Sequence, residues 1–329
     1  MGGDFAPAET VAGAVLAASK GGVAVLVVGD MQAVQAELAK HPKAARLPVI
    51  PVPSEGVVAE GEAPAQAFRA KPRASVFVAA GAVKQGKAKA VVSMGSTGAT
   101  IAAATVLFGT MEGIDRGALG GPIVGFSPRQ VIIDVGTNLD TKPQMFVDFA
   151  ALGSAMARIV YGVVEPRVAM LSVGAEEGKG NKQIKEATEL IKQTSLKFIG
   201  NIEGHDLPFG RAEVVVCDGF VGNVVMKLTE GLGEAVAREV EKALGHTAQA
   251  NELSKRLFDL MNVVEVHGGG PLFGVKGVAI VGHGRAKAES VANAIMTAKL
   301  VVEKGYVEAA AEELSRVRSQ VKAQPAGTS

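Results

Sequence analysis

Five short polar stretches carry residue types from which chemistry on an anionic substrate could be built. The first, Gly95-Ser96-Thr97-Gly98, follows Ala90-Val91-Val92-Ser93-Met94 and precedes a small-residue stretch. A tight turn there gathers backbone N–H groups at the positive end of a helix, which suits a phosphate or carboxylate. It is neither a P-loop, lacking the spaced Gly and the terminal Lys-Ser/Thr pair, nor a dinucleotide fingerprint. A plain helix start capped by Ser or Thr accounts for the same residues. In the second stretch Asp134, Asn138 and Asp140 could bind a metal, orient a water or cap a helix opening at Pro143. With no His or Cys nearby, a dedicated zinc site is not supported.

Glu176, Glu177, Lys179, Asn181 and Lys182 make a charged third stretch, interleaved with Gly174, Gly178 and Gly180. Charges like these usually mark a solvated loop, whereas the glycines suit a backbone that approaches a ligand closely. The fourth, Asp218-Gly219-Phe220-Val221-Gly222-Asn223, follows an apolar strand and could cap a helix or contact phosphate. The fifth places His283 between Gly282 and Gly284 and ahead of Arg285, a hydrogen-bonding or positive group suited to an oxyanion. A lone histidine is more often structural. His205 is a weaker candidate, and Cys217 reads as a small buried hydrophobe.

These stretches need a scaffold that brings them to one side. Continuous apolar runs at Val23–Val28, Ala90–Ser93, Val131–Asp134, Val168–Ser172, Val214–Cys217 and Val278–Val281 read as strands covered on both faces. A weaker strand is expected over Leu47–Val52, and another over Lys197–Ile199. Helical spacing predicts helices over Pro7–Lys20, Met31–Ala39 (opened by Gly29-Asp30), a stretch running to Gln85 with Ser75 as its N-cap, Pro143–Tyr161, Lys182–Gln193, Val224–Leu244, Ala250–Met261, a stretch ending at Glu303, and Val307–Val321. Strands alternating with helices imply an α/β fold with a largely parallel sheet covered on both faces, in two lobes of one unit spanning 1–321. Residues 322–329 read as a disordered tail. Ligands of such folds bind beyond the carboxyl ends of the strands, where all five polar stretches fall.

Composition narrows the classes. The chain has 329 residues, 48% of them hydrophobic and 20% charged, enough for a sizeable core; only 4% are aromatic, so aliphatic residues must fill it. A net charge of +1 argues against a broad nucleic-acid surface. One cysteine forbids an internal disulfide, and no run is apolar enough to span a bilayer or to act as a secretory signal. A cytoplasmic protein is expected.

Taken together and in order, Met1-Gly-Gly-Asp-Phe-Ala-Pro, the Ser-Met-Gly-Ser-Thr-Gly turn, Ile133-Asp-Val-Gly-Thr-Asn, Glu176-Glu-Gly-Lys-Gly-Asn, Gly200-Asn-Ile-Glu-Gly-His-Asp, Cys217-Asp-Gly-Phe-Val-Gly-Asn, Gly268-Gly-Gly-Pro-Leu-Phe-Gly and the His283-Gly pair closely resemble the PlsX phosphate acyltransferases of bacterial phospholipid synthesis. The resemblance runs from residue 1 to about residue 305. It implies an isopropylmalate-dehydrogenase-like fold, related to the phosphotransacetylases. It also implies transfer of a fatty acyl group from acyl carrier protein to inorganic phosphate, giving acyl phosphate for a downstream glycerol-3-phosphate acyltransferase. No metal or cofactor is called for. A homodimer in peripheral contact with the cytoplasmic membrane is implied too.

On this reading Gly95, Ser96, Thr97, Gly98, Asn181 and Asn223 bind phosphate or acyl groups. Asn138, Lys179 and His283 act on the reacting atoms, and Asp4, Asp134 and Asp218 orient the others. Lys182, Lys185 and Lys192, or Lys255 and Arg256, are candidates to dock the acidic carrier. The stripe Leu253, Leu257, Leu260 and Met261 could be core, dimer contact or membrane anchor. Two features depart from the family pattern: a short apolar strand normally precedes Met1, and Ser96 stands where Asn is usual. The rival readings are an acyl-CoA phosphotransacetylase, a dehydrogenase of the same fold (whose nucleotide and metal motifs are not found here), and a membrane scaffold for lipid enzymes.

Overall fold

Pro, Gly and capping side chains set the ends of most helices. In a computed structural model, which describes residues 1–245 and 247–321, α1 (Ala8–Lys20) starts behind Pro7 and stops at Gly21, whose φ of +84° ends the helix. The expected tail over 322–329 lies outside the described residues. β1 (Val25–Gly29) leads to Asp30, which accepts a hydrogen bond from the Ala33 N–H and so caps α2 (Met31–Ala39). β2 (Val49–Pro53), α3 (Pro64–Ala70), α4 (Ser75–Lys84), β3 (Ala90–Ser93) and α5 (Thr97–Phe108) follow.

The middle of the chain supplies β4 (Ala118–Gly121), β5 (Val131–Ile133), α6 (Pro143–Ile159), β6 (Arg167–Leu171), α7 (Lys182–Ile191), β7 (Lys197–Ile202) and β8 (Val214–Val216). Then come the long α8 (Gly219–Leu244) and α9 (Ala248–Met261). The short α10 (Val263–Val266), β9 (Gly270–Phe273), β10 (Val278–Val281), α11 (Ala288–Glu303) and α12 (Tyr306–Arg318) complete it. No helix among the described residues is long and apolar enough to cross a membrane.

The chain divides into two compact units, one of residues 1–111 and 264–307, the other of residues 112–263 together with the described chain from 308 onwards. In the first, β1 and β2 pair in parallel, β3 and β10 pair in parallel, and β9 runs antiparallel to β10. In the second the order is β4-β5-β8-β6-β7, parallel except where β4 meets β5. The expected mostly parallel α/β architecture is therefore present.

Close packing explains the composition. In the first unit α1 lies on α11 with small residues between them, and a Cβ on Gly13 would stand 2.5 Å from Cβ of Val291. Phe68 and Phe77 meet edge to face beside Ala99 and Ala103 of α5. In the second, α6 is buried from Phe146 through Ala157, a helix covered on every side. Gly153 lets it approach Val214. Each fully buried Phe or Leu there contributes about 1.5–3 kcal/mol.

Four expectations change. Ser75 does not cap α4; it is the first helical residue, behind Ala74. α8 begins at Gly219 rather than Val224, so Gly219–Asn223 is its first turn and not a loop. β4 and β9 are strands that the sequence did not suggest. The last helix ends at Arg318, whose guanidinium meets both oxygens of Asp148 at 2.7 Å.

One cavity of the first unit bears on the sheet. It has a volume of about 530 Å³ and is lined by unbroken runs, 22–28 along β1 and 87–96 along β3. A sheet face would present alternate residues; consecutive ones mark strand edges. Among the described residues β1 pairs only with β2, and β3 only with β10. α4 packs against both strands from one side, while α1 covers β1 and α11 covers β3. Met1 and Gly2 also line the cavity, and the Met1 ammonium donates to the Val28 carbonyl at 3.2 Å.

Candidate functional site

The strand ends of the first unit gather four polar groups. Ser96 is the N-cap of α5: its Oγ accepts from the Ala99 N–H at 3.3 Å. Thr97 is therefore the first helical residue, and the first-turn N–H groups of α5 point out of its positive end. Ser93 steadies the turn from below. Its Oγ accepts from the Gly95 N–H at 3.3 Å and lies 2.9 Å from Oγ1 of Thr100. A Cβ on Gly2 would lie 2.6 Å from the Gly95 Cα, so the N-terminal segment can pass this closely only as glycine.

The His283 stretch is joined to this turn. The Gly282 N–H donates to the Ser93 carbonyl at 2.8 Å. Gly282 leaves room for the Met94 sulfur, which a Cβ there would meet at 2.1 Å. The Asp4 N–H donates to the Gly284 carbonyl at 2.8 Å, and the Asp4 carboxylate lies over Gly284. The segments that carry Asp4, Gly95–Gly98 and His283 thus lie side by side in the first unit.

A second cluster lies in the other unit, around Asp134. Its side chain is fully buried and accepts from the N–H groups of Leu119, Gly136, Thr137 and Asn138 at 2.7–3.3 Å, and from Nδ2 of Asn138 at 2.8 Å. Burial nonetheless pushes its pKa above the ordinary carboxylate value. Carboxylate oxygens so engaged face amide donors, which is not the environment of a metal ligand. The other Nδ2 bond of Asn138 goes to the Gly117 carbonyl at 3.1 Å. Both donors of that amide are spent inside the loop, so Asn138 holds the loop's shape rather than offering N–H groups to a substrate.

Asp218 caps α8, accepting from the Val221 N–H at 2.8 Å. The Gly219 N–H donates to the Asn138 carbonyl at 2.7 Å, and a Cβ on Gly222 would fall 1.9 Å from the Asp134 carbonyl oxygen. Nδ2 of Asn223 lies 3.4 Å from the Val135 carbonyl. Asp134, Asn138, Asp218 and Asn223 therefore form one packed assembly. Cys217 lies beneath it with Sγ 3.2 Å from the Asp134 carbonyl, and burial pushes its thiol well above the ordinary range. That environment disfavours a thiolate nucleophile.

Lys179 and Asn181 belong to a separate turn of the same unit. Asn181 caps α7 through the Ile184 N–H at 2.9 Å, leaving its Nδ2 for other partners. The Lys179 N–H and Asn201 Nδ2 both donate to the Glu176 carbonyl at 3.2 Å, which fixes the turn from below. Sequence reasoning missed Asn201, Ser93 and Thr100; the signal available for the last two was a hydroxyl at the end of a strand and another one turn into the helix. Lys192, in the expected basic patch, is paired with Glu177 and Glu189. Lys182 lies 3.8 Å from Glu186, and Lys255 2.6 Å from Asp259. Such exposed pairs contribute little to stability.

The arrangement can be set beside known proteins. A family model described as "Fatty acid synthesis protein" matches residues 1–309. The chain belongs to that family. Within the fatty acid synthesis protein family it is similar to the phosphate acyltransferase of Heliobacterium modesticaldum, 40% identical over 95% of this chain and 96% of that one. It is 39% identical to the phosphate acyltransferase of Gloeobacter violaceus, over 95% of each.

Solved structures support the fold. A phosphotransacetylase from Streptococcus pyogenes matches with a TM-score of 0.58 at 18% identity, covering 90% of this chain and 91% of that one. EutD phosphotransacetylase from Staphylococcus aureus gives 0.54 at 18%, covering 92% and 89%. A structure described as a putative 4-hydroxythreonine-4-phosphate dehydrogenase from Salmonella typhimurium gives 0.51 at 16%, covering 88% and 95%.

Proposed function

We propose that this family member transfers a fatty acyl group from the thioester of acyl carrier protein to inorganic phosphate. The observation that carries the reading is 40% identity to a phosphate acyltransferase over 95% of the chain. A phosphate oxygen attacks the thioester carbonyl, a C–O bond forms and the C–S bond breaks. Acyl phosphate and the carrier thiolate leave, and the thiolate takes up a proton. No covalent enzyme intermediate is needed; the protein's work is to hold a dianion and stabilise an oxyanion.

The first turn of α5 suits the dianion. Ser96 and Thr97 supply hydroxyls, Gly95 and Gly98 let the anion approach the backbone, and no carboxylate enters the turn itself. His283 is assigned to the phosphate or the oxyanion. In the second unit Lys179, Asn181 and Asn223 carry donors suited to carbonyl or phosphate oxygens. Asp4, Asp134 and Asp218 orient loops, and Asn138 joins them in that role.

The test is formation of hydroxamate-trappable acyl phosphate from acyl carrier protein thioester and phosphate. Activity with acyl-CoA alone would instead favour the phosphotransacetylase reading, and no product with either would favour the scaffold. Thr97→Ala and His283→Ala are each expected to lower kcat about 100-fold while shifting the melting temperature little. Unchanged turnover in both would remove the assignment. A carrier docked on the exposed Lys182 and Lys185 should show a higher KM and a weaker salt dependence when Lys185 is made Glu.

The proposal extends to a homodimer. Along α8 the residues Phe220, Val224, Leu228, Leu232 and Val236 are all exposed, one every fourth position. The opposite face buries Met226, Gly233 and Ala237, and α9 packs against α8. An exposed apolar row over four turns is a helix-packing ridge without a partner in the described chain. Leu228→Glu is expected to convert a dimer into monomers in sedimentation velocity. Leu244 and Leu253, also exposed where α8 gives way to α9, support peripheral membrane contact; co-sedimentation with anionic vesicles checks it.

A further inference from the structure

The loop that carries His283 is short, running from the end of β10 to the start of α11, and its own residues do not cap that helix. Lys287 stands at the N-cap and makes no side-chain capping bond. The cap comes from 279 positions earlier: Oε2 of Glu9, on α1, accepts from the Ala288 N–H at 2.7 Å. The other oxygen, Oε1, lies 4.0 Å from Nζ of Lys287, which in turn sits 3.2 Å from the ring centroid of Phe5. A carboxylate at this position also faces the positive end of α11.

The rest of the loop is held from the same direction and from beneath. The Asp4 N–H bonds the Gly284 carbonyl in its middle, and the Gly282 N–H bonds the Ser93 carbonyl at its base. On the side of α10, Arg285 pairs with Glu265 at 2.7 Å. Residues 2–9 therefore touch both strand-end stretches of this unit: Gly2 packs on Gly95, Asp4 lies on Gly284, and Glu9 ends at Ala288.

We infer that Glu9 is a positioning residue, setting the far end of the His283 loop and so the placement of the imidazole relative to the Gly95–Gly98 turn. Its effect on turnover rests on the acyl-transfer reading above; its effect on the imidazole does not. Glu9 touches neither phosphate nor acyl group. It acts through Ala288 and Lys287, and a displacement of about 1 Å in a group aligned with a reacting bond is enough to cost up to about 100-fold in rate. The carboxamide of Gln keeps an acceptor for the Ala288 N–H, whereas Ala removes it.

The test compares the full chain with Glu9→Ala and Glu9→Gln. Acyl phosphate formation is read as kcat and KM, and the His283 imidazole is titrated by NMR, its signal assigned by loss in His283→Gln. The expected result is a roughly tenfold lower kcat in Glu9→Ala with KM for both substrates unchanged within about twofold. Glu9→Gln should recover most of the rate, and the His283 titration should move in the Ala variant only. Wild-type kcat and an unmoved titration in Glu9→Ala would overturn the proposal. So would a fall in kcat matched by the fraction unfolded, with no change at His283. If the unaltered chain makes no acyl phosphate, the functional reading fails, and the His283 titration alone then decides the role of Glu9.

Discussion

Five or six apolar, β-branched residues placed directly ahead of Met1 are expected to raise the melting temperature by 10 °C or more relative to a chain starting at Met1 (about 4–8 °C per kcal/mol for a small domain, less for a large one). The cavity between β1 and β3 is bounded by two strand edges and roofed by helices on both sides. An extended segment entering at Met1 would run parallel to both neighbours. It would hydrogen-bond each, at a net gain of about 0.5–1.5 kcal/mol per bond. Its side chains would reach α4 on one face and α1 and α11 on the other, at about 1.5–3 kcal/mol for each large apolar group buried. These gains exceed an ordering cost of about 1–2 kcal/mol per residue.

The extension also removes a penalty. The Met1 ammonium is desolvated, which lowers its pKa, and it occupies the place of a strand amide against Val28. Differential scanning calorimetry of the two forms is decisive, with a scrambled polar extension as control. Equal melting temperatures would mean that the cavity does not accept a strand. Among the described residues the facing edges of β1 and β3 have no strand paired to them, which is the physical basis of this expectation.

The second large effect is expected at Asp134. Asp134→Ala strands the backbone N–H groups of Gly136, Thr137 and Asn138 and one N–H of the Asn138 amide, while the Leu119 N–H keeps Oγ1 of Thr137 at 3.1 Å; each buried donor left unpaired costs about 1–3 kcal/mol. A loss of at least about 3 kcal/mol of unfolding free energy follows, measured as a lower urea midpoint. Solvent entering the emptied site and restoring stability would refute it.

Asp134 also has a pH signature. Because burial holds its folded pKa above the ordinary value of 3.8, the folded chain binds this proton more tightly than the unfolded chain. The stability it confers is fully present below the unfolded pKa and is lost as pH rises through the folded pKa, with no further slope above. In Asp134→Asn that slope should vanish while overall stability falls, since the new Nδ2 faces N–H donors. An unchanged slope would assign the pH dependence to other carboxylates.

How much of this was legible in the residues depends on how local the signal is. The runs Val131-Ile132-Ile133 and Val214-Val215-Val216 read as buried strands because both faces are apolar, and they are fully buried. The helix expected over Met31–Ala39 starts in place because the Asp30 side chain just ahead of it reaches the Ala33 N–H, a local bond. β4 and β9 were illegible for the converse reason. Ala118-Leu-Gly-Gly and Gly270-Pro-Leu-Phe are too short and too rich in Gly and Pro to show a period, and they become strands because β5 and β10 offer them an edge.

The candidate site divides along the same line. Residue types and order sufficed to select Gly95–Gly98, the Asp134 loop, Asp218–Asn223 and His283, since glycines, caps and donors at strand ends are a local pattern. Whether a selected side chain is spent or available was decided only by the tertiary structure. Asn138 looked like a donor for substrate until its two N–H groups were found on Asp134 and on Gly117, 21 residues earlier. Glu9 sits in the first turn of α1, and only the fold brings the Ala288 N–H against its carboxylate. A hydrogen-bonding group's partners are set by which backbone passes within about 3 Å, and chain distance carries no record of that.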